Sequence, residues 1–373
     1  MNANISDKDH GPMNPEPSNT LFQSIVEVSL WVELLFSKLG AFLNVFHLVI
    51  LTRRSMMTSS INVIMIGIGC CDLLLMLDII RTSLTEPEPA GSTCAPPPSL
   101  LKMRVDWSLV SVHMGLRQCS AWLAVLISLI TYLIITDISN QNNKYATLSY
   151  GYRTIAATFV MSCILSLFYF WNYQFVEVAT WYPDSTCQGH FGNYTEPIYT
   201  VQYAKFFETN DGLLSKVWLL LEGVIIKIIP CFLLPTLTGL LIYEMRKTAR
   251  KFGNVSVAQK EARKSQQDRT TVIVIFVAIT FLLSEFPTGL FEIVEALWHT
   301  SPLAERLSKT VTFLCDAVFT VNSSIHFMIN FSMSLQYRKT VYRLLRFPSF
   351  KKNSNVVTVV QNVAKSRQNS LQT

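Results

Sequence analysis

Seven long apolar runs lie along this chain of 373 residues, and lysine and arginine gather on alternate sides of them. The runs cover approximately 28–51, 60–81, 108–137, 154–175, 215–243, 270–298 and 307–333. At about 1.5 Å per helical residue, each is long enough to cross roughly 30 Å of hydrocarbon. A lipid-crossing segment must satisfy its own backbone polar groups, so the runs are read as helices rather than strands. The expected fold is all-α and membrane-embedded, a seven-transmembrane helix bundle.

The charge distribution orients the bundle. Arg53 and Arg54 follow the first run, and Lys144 and Arg153 flank the link after the third. Arg246, Lys247, Arg250, Lys251, Lys260, Arg263, Lys264 and Arg269 crowd the link between the fifth and sixth. The segment after the seventh run holds Arg338, Lys339, Arg343, Arg346, Lys351, Lys352, Lys365 and Arg367, and no acid. By the positive-inside rule these links face the cytoplasm and the N-terminus lies outside, which places the chain in the plasma membrane as a multi-pass protein. The net charge of +6 does not argue for nucleic acid, because the basic stretches are short links between spans. The first residues are polar and acidic rather than basic then apolar, so the first helix is expected to act as its own insertion signal.

Most cysteines fall within the runs, where thiols behave as small buried hydrophobes. Cys94 and Cys187 alone lie in links placed outside; a disulfide between them is expected, two free thiols being the alternative. Asn4 and Asn193 open glycosylation sequons on the expected outer side. The chain divides into an extracellular tail (1–27), a receptor-like bundle (28–346) and a cytoplasmic tail (347–373). The bundle ends in a short amphipathic helix, in which Tyr337, Val341, Leu344, Leu345 and Phe347 alternate with basic residues.

Polar groups inside the spans carry the chemistry, because each is costly to bury in lipid and turns toward the bundle interior. One set lies deep: Gly40 and Asn44 on the first helix, Asp72 on the second, Ser120 on the third, and Asn322, Ser323 and His326 on the seventh. It could hold Na+ or a proton near Asp72, or form a structural hydrogen-bond network with no ion. A second set lies toward the outside: Asp78 and Arg81, His113 and Arg117, Glu222, Glu285 and Glu292, and Asp316. Acids outnumber bases there, which suits a ligand with a basic group, such as a peptide ending in Arg-Phe-amide. The alternative is that these groups pair with one another, Arg117 with Asp316 for example. Pro230, Pro235 and Pro287 kink the fifth and sixth helices, which either provides a hinge or only shapes the cavity.

Asn44, Asp72, Pro230 and Phe281-x5-Pro287 in a seven-helix chain resemble a rhodopsin-class G-protein-coupled receptor. Three stretches are similar to the nematode serpentine receptors of class w, relatives of FMRFamide-type peptide receptors. They are Arg54-Ser55-Met56-x-Thr58-Ser59-x-Ile61-Asn62, Cys119-Ser120-x-Trp122-Leu123, and Asn322-Ser323-x-x-His326 running into Met333-Ser334-x-Gln336-Tyr337-Arg338-Lys339-Thr340. The resemblance covers about 28–346 and implies an outward pocket, a swing of helix six and a heterotrimeric G protein inside.

On that reading Asp78, Arg81, His113, Arg117, Glu222, Glu292 and Asp316 contact the ligand. Asn44, Asp72, Ser120, Glu285, Pro287, Asn322 and His326 form the activation switch, and Thr131, Arg250, Lys251 and Arg269 face the G protein. The chain also departs from the pattern. Thr131 stands where the family places an Arg, Glu285 replaces the Trp before Pro287, and His326-x3-Asn330 replaces Asn-Pro-x-x-Tyr. The expected function is a neuropeptide receptor. Rival readings are a non-coupling or chemosensory receptor for a small molecule, and a channel or transporter; the last is opposed by the odd number of spans and the lack of an inverted repeat. No nucleophile–base or metal-ligand spacing points to an enzyme or a metal.

Overall fold

The computed structural model describes residues 17–85, 96–137, 143–183, 194–251, 257–297 and 302–345. The expected disulfide, Cys94 with Cys187, and the sequons at Asn4 and Asn193 lie outside the described residues. The remaining cysteines, Cys70, Cys71, Cys119, Cys163, Cys231 and Cys315, are free.

Helix α1 spans Pro17–Leu51, α2 Ser60–Thr85, α3 Leu100–Thr136 and α4 Leu148–Trp171. The fifth crossing is composite: α5 (Lys205–Leu221), a π turn (Glu222–Ile228) and α6 (Ile229–Lys251). Helix α7 spans Val257–Leu297, α8 Pro302–Ser324, α9 His326–Met333 and α10 Leu335–Leu344. Among the described residues, six crossings are long and apolar enough to span a membrane; α7, whose sequence is polar in its first half and apolar from 271 to 284, is the seventh member of the bundle.

Helix α1 reaches eleven residues beyond the apolar run, where an N-terminal tail was expected. Adding turns to an existing helix needs only propagation, and Leu21, Phe22, Ile25 and Val26 favour it. Helix α3 starts eight residues earlier than its apolar run, after a Pro96-Pro97-Pro98 stretch, with Ser99 accepting from the Lys102 N–H at 3.4 Å.

The fourth apolar run was expected to stay helical to Phe175. Instead α4 stops at Trp171, and β1 (Tyr173–Trp181) pairs antiparallel with β2 (Glu196–Tyr203), with an irregularity between Glu177 and Ala179. The sequence from Tyr173 to Trp181 is rich in aromatic and β-branched residues, and the cross-strand pair Tyr173–Tyr203 stacks at 4.8 Å. Below this hairpin, Asn210 (φ 55°) and Gly212 (φ 69°) take left-handed conformations within α5, so the membrane-spanning part begins near Gly212.

Helix α3 packs between α2, α4 and α6, while α1 lies along α2 and α8, and α7 closes the ring against α8, α6 and the π turn. One apolar core joins α2 to α3 through Ile64, Ile68, Leu123 and Ile130. Another joins α3, α6 and α7 through Ala121, Val125, Leu234 and Phe281. A third fixes α10 beneath α1 through Ile50, Leu51, Met56, Tyr337 and Val341. The expected amphipathic helix is therefore present, with its apolar side against α1 rather than wholly in lipid. Trp31, Phe42 and Phe232 are 73, 70 and 57% exposed, a girdle of large apolar groups that suits lipid and would aggregate in water.

Candidate functional site

Three connected cavities run down from the hairpin end of the bundle. The widest, about 460 Å³, lies between α1, α2 and α3 and is walled by Trp31, Glu33, Asp78 and His113 among others. It shares Glu33, Ile79 and His113 with a waist of about 10 Å³, walled also by Asp72, Arg117 and Asp316. The waist shares Arg117 and Asp316 with a void of about 40 Å³ between α3, the π turn, α7 and α8.

The ligand-contact residues expected from the sequence fall into two groups along this path. Asp78, Arg81 and His113 stay together at the wide cavity. Arg81 Nε donates to Asp78 Oδ1 at 2.9 Å, His113 Nδ1 lies 3.0 Å from Asp78 Oδ2, and Arg81 Nη1 reaches Asp106 Oδ1 at 3.3 Å. These contacts fasten α2 to α3.

Deeper, Arg117 bridges two helices at once. Its Nε donates to Glu285 Oε1 at 2.9 Å, its Nη1 donates to Asp316, and its guanidinium lies 4.7 Å from the Phe319 ring centre. A planar fork of donors can hold two carboxylates from different directions. Glu285, grouped with the switch in the sequence reading, thus sits against Arg117 in the ionic core.

Glu222 and Glu292 meet a partner that the sequence reading missed. Lys227 donates to Glu292, and Glu222 is held by the Trp218 indole while facing Lys227. The π turn explains the geometry. Its i→i+5 bonding stacks residues five apart, so Glu222 and Lys227 share the face turned to α7. Pro230 explains the turn, because it offers no N–H to a carbonyl four residues back. The helices are close here: a Cβ on Gly223 would lie 2.8 Å from the Gly289 carbonyl oxygen. Lys227 was detectable as a lone cation inside an apolar span, the rule that found the acids. Glu33 also went unread; it lies mid-way along α1 and faces Asp316 and Arg117.

The deep set is only partly brought together. Asp72 is fully buried; Ser120 Oγ donates to its Oδ1 at 2.8 Å and His326 Nδ1 lies 2.7 Å from its Oδ2. Asn322 instead accepts from Thr280 at 2.9 Å, and Asn44 donates to the Ser323 carbonyl at 3.3 Å. Gly40 is a packing site, since a Cβ there would meet Ser324 and Met76. Both carboxylate oxygens of Asp72 are thus engaged, one by a hydroxyl and one by a ring nitrogen.

At the other end of the bundle, the half-buried Thr131 donates back to the Ile127 carbonyl at 2.6 Å. The side chains of Arg250, Lys251 and Arg269 lie outside the described residues. Arg53, Arg54, Arg246, Lys247, Lys339 and Arg343 are described and exposed at this end. His47, another residue absent from the sequence reading, joins α1 to α10 through a 2.7 Å bond to the Tyr337 hydroxyl.

A seven-helix bundle with a polar shaft leading in from one end and a basic face at the other has known relatives. The G-protein coupled receptor dmsr-1 of Caenorhabditis elegans is 23% identical over 356 residues, covering 85% of this chain and 68% of that protein. The family described as "Serpentine type 7TM GPCR chemoreceptor Srw" matches residues 31–348, from α1 through the end of α10. The chain belongs to this Srw family and is a multi-pass membrane G-protein-coupled receptor.

Proposed function

We propose that this receptor turns its hairpin end outward at the plasma membrane, binds an amidated neuropeptide bearing a basic group there, and signals through a heterotrimeric G protein. The orientation follows from the exposed arginines and lysines at the α10 end, which the positive-inside rule assigns to the cytoplasm. The ligand class rests on one observation. Among the described residues, six carboxyl groups (Glu33, Asp72, Glu222, Glu285, Glu292 and Asp316) meet two fixed cations (Arg117 and Lys227) beneath the widest cavity, Asp72 being engaged by His326 and Ser120. An excess of carboxyl acceptors over fixed cations suits a ligand's guanidinium or ammonium group, which brings only donors.

The ion pairs suggest how binding reaches the other face. A group entering the waist must part Arg117 from Asp316. Arg117 also restrains Glu285, two residues before Pro287, where α7 lacks a backbone hydrogen bond and can bend. A ligand that favours the bent state over the straight one is an agonist. The Asp72–His326–Ser120 group, on the same path, is the proposed proton-dependent switch.

A second reading, a receptor that binds without coupling, is favoured by Thr131. Its hydroxyl is turned back on its own helix and presents no cation to a G protein. Both readings are tested by a dose–response screen of amidated peptides on cells displaying the surface-tagged receptor, with Thr131→Arg alongside. A saturable response from the unaltered chain supports a coupled peptide receptor. A response from Thr131→Arg alone supports binding without coupling. Silence from both, with surface display confirmed, overturns the peptide class.

A further inference from the structure

We infer that the outward side of α1 is a docking surface for one transmembrane helix of another protein, a helix that carries a carboxyl group opposite Lys38. Ser37, Gly40, Asn44 and His47 are buried and mark the side of α1 turned to the bundle. At about 100° per residue, Leu35, Phe42, Val45 and Val49 point the opposite way, and they are 65, 70, 50 and 38% exposed. Lys38 lies in this same stripe, three residues after Leu35 and four before Phe42, and is exposed with them. Among the described residues it has no ion pair or hydrogen bond.

Lipid alone suits the apolar members of the stripe, but not a lysine at this depth. The first apolar run, 28–51, has its midpoint between Leu39 and Gly40. Lys38 therefore stands about 2 Å from the centre of a hydrocarbon layer roughly 30 Å thick, and about 13 Å from its hairpin-side edge. A lysine side chain tilts toward the helix N-terminus and spans about 6 Å. The ammonium group then stops about 7 Å short of that edge, out of reach of snorkelling. A charge held there is costly unless a partner meets it within the membrane.

The chemistry of the stripe selects the partner. An ammonium group brings three donors and no acceptor, so it calls for a carboxylate. That carboxylate must arrive at the same depth, which a helix crossing the bilayer can deliver and a soluble protein cannot. Leu35 and Phe42, about one turn to either side, keep the pair dry, where a charge-assisted hydrogen bond is strong. A second copy of this chain does not fit. Among the described residues, the carboxyl groups deep in the crossings belong to the ion pairs and cavities of the interior. A parallel pairing of α1 with α1 would set Lys38 against Lys38.

The full-length receptor is reconstituted in phosphatidylcholine vesicles with a labelled Leu-Ala helix of about 20 residues carrying Glu, Gln or Leu at its midpoint. Energy transfer to a fluorophore on the receptor reports association. The Glu helix should associate about tenfold more tightly than the Leu helix, with the Gln helix between them. With Lys38→Leu, which makes the stripe wholly apolar and leaves the interior untouched, the preference should vanish. With Lys38→Glu, a helix bearing Lys at its midpoint should be preferred instead. Equal association of the Glu and Leu helices with the unaltered receptor overturns the docking surface. So does a preference that survives Lys38→Leu, since another cation would then be reading the probe. Vesicles doped with labelled phosphatidic acid separate the rival occupant. Enrichment of that lipid around the unaltered receptor but not around Lys38→Leu, with no discrimination among the helices, overturns the helix and assigns Lys38 to a lipid phosphate.

Discussion

Arg117 is the residue on which most of the site depends. It is the shared partner of Glu285 on α7 and Asp316 on α8, so its removal leaves two carboxylates in the bundle interior without a cation. Breaking a buried ion pair by deleting one partner destabilises by about 3–5 kcal/mol, more than replacing the whole group with apolar residues. Arg117→Met should therefore lower the melting temperature of the solubilised receptor sharply, and Arg117→Met with Glu285→Met should recover part of the loss. Equal stability of the single variant and the unaltered chain would show that the pairing carries no weight. Asp72 makes a different prediction. With both carboxylate oxygens engaged by Ser120 and His326, peptide affinity should change less than about twofold when Na+ is exchanged for choline. A strong Na+ dependence would mean that the ion displaces the His326 ring nitrogen. The acids and Arg117 were legible in the sequence because a charge inside an apolar run is conspicuous. The pairing of Arg117 with Asp316 was also open to the sequence as an alternative; the pairings of Arg117 with Glu285 and of Lys227 with Glu292 were not, since helix periodicity says which face a residue occupies and not which helix stands opposite. That is why Glu285 was assigned to the switch and Lys227 overlooked.

Among the elements, the π turn does most to shape the site. It places Glu222 and Lys227 on one face and brings Gly223 against Gly289 of α7. Gly223→Ala would set a methyl 2.8 Å from the Gly289 carbonyl and force the fifth and sixth crossings apart. Overpacking of this kind costs about 1–3 kcal/mol. The expected result is a lower melting temperature together with a changed agonist potency, because the same contact positions Glu292. A variant that melts normally would mean that the two helices are not in close contact there. Hydropathy located the crossings well, since it reports whether a segment prefers lipid to water. It cannot tell a helix from a strand in a short apolar run, so the start of β1 was read as the end of the fourth helix. Nor does it register a change from α to π winding, which alters neither composition nor length.

For the whole molecule, the hairpin and the basic α10 end lie on opposite faces, and the proposed orientation makes them extracellular and cytoplasmic. An epitope tag at the N-terminus should therefore stain intact cells, and one at the C-terminus only permeabilised cells; the reverse pattern would invert every functional assignment above. Fold class was legible at this scale, because seven runs with alternating basic links admit few other solutions. The closure of the bundle was not, because it depends on contacts between residues far apart in the chain. The His47–Tyr337 bond is the plainest of these, joining α1 to α10 across 290 positions. Tyr337→Phe, which removes it, should cost about 1 kcal/mol, read as a small drop in melting temperature. The bond also bears on biosynthesis. At about 5–20 residues per second, roughly 15–60 s separate the synthesis of His47 from that of its partner. Through that interval the first helix sits in the bilayer with an imidazole unmatched, so it depends on the insertion machinery or on transient neighbours until the last helix emerges. Chains stopped short of Tyr337 should accordingly be retained and degraded early, although all seven crossings have already been made.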